Sequence, residues 1–207
     1  MSKVQVDTID TRSGTSTMQI GSTNTSTINI GVSGDTVNIP SGVTIANAGT
    51  ATGFGGGKLL QVVANNYTTV TTISASGRTD LFTQAITPIA ASSKVLISFS
   101  VGMGNNATGV SAMNLRRDIA SGGYADIGQG SGASSHNGAA GGAYDADSNV
   151  LRQISYVYLD SPTYSVGNVI TYKVQYYSNS STNQYINRAN SNAVSSTSNI
   201  VLMEIAT

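Results

Sequence analysis

The chain has no cysteine, no tryptophan, a single histidine and only 10% charged residues. Without cysteine there is no disulfide, no thiolate nucleophile and no thiolate metal site, and the redox compartment stays open. The charge content is well below the roughly 25% of an ordinary soluble domain. Its ten basic and ten acidic residues cancel. A neutral chain whose cations are scattered, apart from Arg116-Arg117, offers no track for phosphates, which argues against nucleic acid as a partner. No apolar run approaches the roughly 20 residues of a membrane helix, so membrane insertion is not expected. The opening Met1-Ser2-Lys3-Val4-Gln5-Val6-Asp7 lacks the apolar stretch of a secretory signal.

What fills the chain instead is Ser, Thr, Asn and Gly, a mixture suited to strands and turns with a neutral polar surface. Residues 17–45 repeat a short pattern: Thr17-Met18-Gln19-Ile20-Gly21, Thr27-Ile28-Asn29-Ile30-Gly31, Thr36-Val37-Asn38-Ile39-Pro40 and Gly42-Val43-Thr44-Ile45. Each holds an apolar–polar–apolar triplet, the alternation of a strand, with Gly/Ser/Asn/Asp turn residues between. One such strand offers two apolar side chains, and a short repeat buries them only against neighbours. The expectation is a short intertwined β-repeat shaft of three chains, with Met18, Ile20, Ile28, Ile30, Val37, Ile39, Val43 and Ile45 inside. Residues 46–57, which hold Phe54 as their one large side chain, read as a Gly-rich linker. The expected domains are therefore 1–56 and 57–207.

From Lys58 onward strand patterns recur at short intervals. In Lys94-Val95-Leu96-Ile97-Ser98-Phe99-Ser100-Val101 the apolar Val95, Ile97, Phe99 and Val101 share one face. In Ile170-Thr171-Tyr172-Lys173-Val174-Gln175-Tyr176-Tyr177 the face is Ile170, Tyr172, Val174 and Tyr176, with Thr171, Lys173 and Gln175 opposite. Weaker strand patterns cover 59–63, 68–73, 81–86, 112–119, 151–159, 184–188 and 199–205. The stretch 112–120 also has an amphipathic look. The count suits an all-β, jelly-roll β-sandwich.

Two segments, Ile154-Ser155-Tyr156-Val157-Tyr158-Leu159 and Ile200-Val201-Leu202-Met203-Glu204-Ile205, are apolar on both faces. A sandwich strand with one wet face should not be. The second face is expected to be covered by another subunit, with Tyr156, Tyr158 and Leu202 at that interface. Most of the ten tyrosines lie between Tyr156 and Tyr185, and tyrosine favours interfaces. The gaps at 102–111, 121–149, 178–183 and 189–198 are small and polar, and the longest suits a functional loop.

Residues that could carry chemistry are few. His136 lies in a Gly/Ser/Asn loop without an acidic neighbour, which fits an exposed loop residue better than a catalyst or metal ligand. Asp145-Ala146-Asp147-Ser148-Asn149 begins like a calcium loop, but Val150 stands where Gly is needed and Tyr156 where the bidentate Glu should be. A glycosidase needs two converging carboxylates, and none can be paired from the sequence. No Gly-x-Ser-x-Gly turn sits between a strand and a helix. Neither an enzyme nor a cofactor is indicated.

Four stretches together resemble the trimeric head domains of tail fibres from bacteriophages of marine cyanobacteria and similar hosts. They are Gly57-Lys58-Leu59-Leu60-Gln61-Val62-Val63, Ser92-Ser93-Lys94-Val95-Leu96-Ile97, Leu159-Asp160-Ser161-Pro162 followed by Thr171-Tyr172-Lys173-Val174-Gln175, and Ile186-Asn187-Arg188 leading to Ile200-Val201-Leu202-Met203-Glu204-Ile205. Lys3-Val4-Gln5-Val6-Asp7-Thr8-Ile9 is similar to the virion-attached start of such fibres. The resemblance implies a homotrimeric jelly-roll head, an N-terminus held by a tail or baseplate protein, and recognition of a host-surface glycan or protein through loops. It also implies a virion protein made in the host cytoplasm. Neutral loops with aromatic faces and amides suit sugars, and the residues expected to bind are Tyr124, His136, Asn137, Tyr144 and Asn183. The alternatives are a purely structural virion protein and a polysaccharide depolymerase.

Overall fold

Apolar and polar residues alternate with period two through most of the C-terminal part, many of them β-branched or aromatic, and such residues settle as pleated strands. The computed structural model describes residues 20–21, 23–24, 26–43, 58–106, 110–133, 136–141 and 150–207. It contains strands β1 (Leu59–Tyr67), β2 (Thr71–Ile73), β3 (Gly77–Ile86), β4 (Lys94–Asn105), β5 (Ser111–Ile119), β6 (Ala125–Ile127), β7 (Ala140–Gly141), β8 (Arg152–Asp160), β9 (Ile170–Ser178), β10 (Gln184–Ile186) and β11 (Ser198–Ile205). Among the described residues there is no helix, and 111–119 is a strand.

The strands form two antiparallel sheets. In the first, β1, β11 and β4 lie side by side, β8 pairs the other side of β4, and β10 and β2 continue the rows of β11 and β1 beside the end of β4. In the second the order is β3, β9, β5, with β6 and β7 sharing the row beyond β5. Each sheet thus has four rows of strands. Numbered along the chain, the rows run 1-8-3-6 in the first sheet and 2-7-4-5 in the second. Successive rows cross between the sheets at most steps, which is the winding of a jelly roll.

The inner faces make the core. Val95, Ile97, Phe99, Val101 and Met103 of β4 meet Met113 and Leu115 of β5, Tyr172, Val174 and Tyr176 of β9, and Ile200 and Leu202 of β11. Asp160 ties together polar groups at the edge of this layer. The Asp160 carboxylate accepts from Arg117 Nη1 at 2.7 and 2.9 Å and from the Tyr172 hydroxyl at 2.8 Å. Burial first of all, with Asp160 close by, pushes the Tyr172 hydroxyl far above its usual range. One open edge is tied by Tyr67, whose ring stacks on Phe82 at 4.3 Å and whose hydroxyl donates to Thr83 O. The other is tied by Tyr156, whose hydroxyl donates to Gly128 O at 2.7 Å.

These positions correct the expected head interface. Leu202 has no exposed surface and belongs to the core of a single chain. Tyr156 and Tyr158 pack against the same core. A strand turns alternate residues to opposite faces. The outward residues of β8 are therefore Gln153, Ser155, Val157 and Leu159, and those of β11 are Asn199, Val201, Met203 and Ile205.

The chain divides into two units, Met1–Thr52 and Gly53–Thr207. In the first, the described residues form turns and no strand. Asp35 N donates to Val32 O at 3.0 Å while the Asp35 carboxylate accepts from Val32 N at 2.9 Å, closing a turn around Gly34, whose φ is +96°. Ile20, Ile28, Ile30, Val37, Ile39 and Val43 are 46–69% exposed. The strands expected here do not form in one chain, since three-residue segments without a ladder partner cannot meet their own backbone groups. Met18 and Ile45 lie outside the described residues.

Candidate functional site

The two sheets present unlike outer faces. That of the second sheet is polar. Lys173 Nζ donates to Asp80 Oδ2 at 2.6 Å, and Gln175 Nε2 donates to Asp80 Oδ1. Arg78 grips Asp126 through two bonds of 2.8 and 2.9 Å, and Arg116 Nε lies 3.0 Å from the same carboxylate. The ammonium of Lys173 holds the Asp80 carboxyl below its usual range, with Gln175 assisting, and Arg78 does the same for Asp126. All of these side chains are at least partly exposed apart from Gln175, and exposed pairs are each worth about 0–1 kcal/mol, so they order the surface more than they stabilise it.

The segment after β5 returns over this face. Its β6 and β7 pair with β5, which is why only part of 121–149 is a loop. Tyr124 lays its ring over Lys173 Nζ at 4.0 Å and Arg116 at 5.7 Å, and its carbonyl accepts from Arg116 Nη2. His136 stacks on Tyr177, ring centroids 3.7 Å apart and planes 8° from parallel. Its Nε2 lies 2.8 Å from the Asn114 amide oxygen, so that nitrogen carries the proton if the bond is made. Burial, and then the Arg78 charge, lower the His136 pKa against the opposing effect of Asp126. Asn137 bonds locally, accepting from Ala133 N at 3.1 Å.

Of the residues expected to bind, the fold brings Tyr124 and His136 onto one face, with Asn137 beside them in the same loop. Asn183 lies exposed in the β9–β10 connection. Tyr144, with Asp145 and Asp147, lies outside the described residues. Arg78, Asn114, Arg116, Lys173, Gln175 and Tyr177 complete the face and were not singled out from the sequence. The polar alternation of Thr171, Lys173 and Gln175 marks an outward face, but nothing in it says that residues 124 and 136 fold back there. Asn114 and Gln175 are cross-strand partners. Asn114 Nδ2 and Gln175 Oε1 are buried without a hydrogen-bond partner beneath this face.

The outer face of the first sheet carries an apolar band toward the Lys94 end, bounded by the polar row Asn66, Asn199, Ser100 and Ser155. The register aligns Val62, Met203, Leu96 and Leu159 in one row across its strands, and Ala64, Val201, Ser98 and Val157 in the next. Leu59 and Ile205 add to the end of the band beside Lys94. Val157 is 61% exposed, Leu59 51%, Val62 50% and Leu159 46%. At the far end of β4 the face is covered by residues 188–197. A Cβ on Gly102 would overlap the Ser196 side chain, and one on Gly104 would overlap Arg188 O. A cavity of about 220 Å³ opens separately past Tyr67, between β1 and β3, lined by Thr69, Leu81, Phe82, Ile186 and Asn187.

No protein-family model matches the chain. No curated protein matches it either. Among solved structures it is similar to a chain in the structure of infectious bursal disease virus, Gx strain, with 11% identity and a TM-score of 0.37 over 71% of this chain and 37% of that one. The chain thus spans little more than a third of the length of that protein. It is an all-β protein of two packed antiparallel sheets.

Proposed function

We propose that this chain is a non-enzymatic structural component of a virion, a tail fibre of the bacteriophage type, whose C-terminal sandwich recognises the host surface. The observation that carries the reading is the difference between the outer faces. One is a polar layer of paired ions, aromatic rings and amides; the other carries an apolar band. On the polar face Tyr124, His136 and Tyr177 supply rings, and the Asn114 amide oxygen meets His136. Aromatic rings offer flat faces on which a sugar ring can stack, and the ions of this face are already paired with one another, which favours a glycan over a charged ligand.

Several identical heads on one fibre present several copies of this face. Weak contacts to a repeating glycan then sum as avidity without any tight single site. In this reading the repeat at 17–45 links chains into a trimeric shaft, and the residues before it attach to a tail or baseplate protein.

Purified protein should compete with the phage for adsorption to host cells. Tyr124→Ala and His136→Ala should weaken that competition while the fold, read by circular dichroism, stays intact. Adsorption unaffected by exchange of residues 121–149 would favour the purely structural virion role, to which the internally paired Asp80 and Asp126 carboxylates also conform. Release of reducing sugar from host polysaccharide would instead establish a depolymerase.

A further inference from the structure

From the register we infer that the outer face of the first sheet, centred on Val157, Leu159, Met203, Leu96 and Val62, is the surface through which copies of this chain join. Every strand row contributes at least one apolar side chain to a band of two aligned rows, beyond which Asn66, Asn199, Ser100 and Ser155 are polar, whereas the face on the other side of the molecule carries the ion pairs. Both faces belong to one sandwich of the same composition. The difference is therefore positional: β8 and β11 spend apolar residues on a side where a monomer gains nothing from them.

Three observations select a second copy as the occupant. The first is charge. Lys94 is the one ionisable side chain in these aligned rows, and it stands at the rim. A face without charge cannot choose an oppositely charged partner, but identical faces meet without repulsion.

The second is size. Four strand rows about 4.8 Å apart and some six residues of strand at about 3.3 Å each give about 400 Å² per copy. A standard interface takes about 800 Å² per partner, so this face supplies about half of one. The other half must come from elsewhere on the same chain.

The third observation supplies it. The N-terminal unit leaves Ile20, Ile28, Ile30, Val37, Ile39 and Val43 exposed, and its repeats also need copies of themselves as ladder partners. Two separate parts of the chain require one and the same partner, and self-association satisfies both together.

This inference deepens the fibre reading by placing the contact between heads on a definite face, and it can fail separately from it. The test is the solution mass of the full chain by light scattering during size exclusion. The wild type should run as a multiple of 21.2 kDa. The double variant Val157→Glu and Leu159→Glu should shift to lower mass while retaining a cooperative thermal transition, because neither side chain points into the core. Ala85→Glu, exposed on β3 of the polar sheet, should leave the mass unchanged.

The absence of native cysteine allows a second measurement that does not depend on disrupting assembly. A thiol placed by Val157→Cys should react with maleimide at least tenfold more slowly than one placed by Ala85→Cys. A wild type at the mass of one chain overturns the inference together with the trimeric fibre. A wild-type oligomer unaffected by the glutamates, with a freely reactive thiol at 157, overturns only the face assignment and leaves the fibre reading in place.

Discussion

Replacing Glu204 tests how the sandwich closes its end. Glu204 sits on the inner side of β11 with no exposed surface. Its carboxylate accepts from Gln61 Nε2 at 2.6 Å, from Ile89 N at 3.1 Å to each oxygen, and from Ala90 N at 3.1 Å. It thereby fixes the β3–β4 connection over the end of the core. Burial alone would raise its pKa; the donors from Gln61, Ile89, Ser93 and Ala90 outweigh burial and hold the carboxyl below its usual range. Gln61 keeps a bond to Thr87 O, but Glu204→Ala leaves the Ile89 and Ala90 amides without an acceptor, and each buried orphan costs about 1–3 kcal/mol, so a loss of about 4 kcal/mol is expected. At about 2–4 °C per kcal/mol for a domain of this size, the midpoint of thermal unfolding should fall by about 12 °C.

Glu204→Gln keeps the volume and one acceptor oxygen, and should lose about half as much. The sign of the pH dependence follows from the lowered folded pKa. The native state binds fewer protons than the unfolded chain, so the contribution of Glu204 is complete above the ordinary value of 4.5 and disappears as the pH falls through the folded value. Other carboxylates titrate in the same window, so the informative quantity is the difference between wild type and Glu204→Gln. It should be largest near neutral pH and vanish in acid. Calorimetry across that range reads it directly. Equal midpoints for the two proteins near neutral pH would refute the assignment of Glu204 as the anchor of this connection.

Gly104→Ala should destabilise by about 1–3 kcal/mol, because the new methyl meets the backbone of Arg188 and Ala189, which cannot swing aside as a side chain can; chemical denaturation measures it, and an unchanged midpoint would contradict the close approach. Asp160→Ala should cost about 3 kcal/mol, since it strands the Arg117 guanidinium and the buried Tyr172 hydroxyl; Tyr172→Phe in the same background should then restore part of the loss. His136 is expected to titrate below the ordinary 6.5, so its protonation works against the fold as the pH drops below that value. Its ring protons, followed by NMR, report the midpoint, and replacement of Tyr177 by Ala should move it back toward 6.5. A midpoint above 6.5 in the wild type would mean that Asp126, not burial and Arg78, governs the site.

Alternation determined much of this protein by itself. The inner faces of β4 and β9 were legible residue by residue, since a two-residue period with Val, Ile, Phe and Tyr on one side has only one way to be buried. The same pattern showed that β8 and β11 carry more apolar surface than one core needs. It did not show which side is inward, because both sides of Ile154–Leu159 and of Ile200–Ile205 look alike in the sequence. Only the packing against β5 and β9 decided that Tyr156, Tyr158 and Leu202 turn in and that Val157, Leu159 and Met203 turn out.

The strands β6 and β7 were hidden for a related reason. Segments of three and two residues carry too little alternation to be seen, and they exist because β5 offers a free edge to pair with. The polar face was equally out of reach. Tyr124 and His136 are separated in the chain from Lys173 and Tyr177, and a contact between them is a property of topology, not of local pattern. The chain dictates locally which residues seek burial and which seek water. Which of them meet is decided by the order of strands in the two sheets, since that order is set by the sum of all pairings at once.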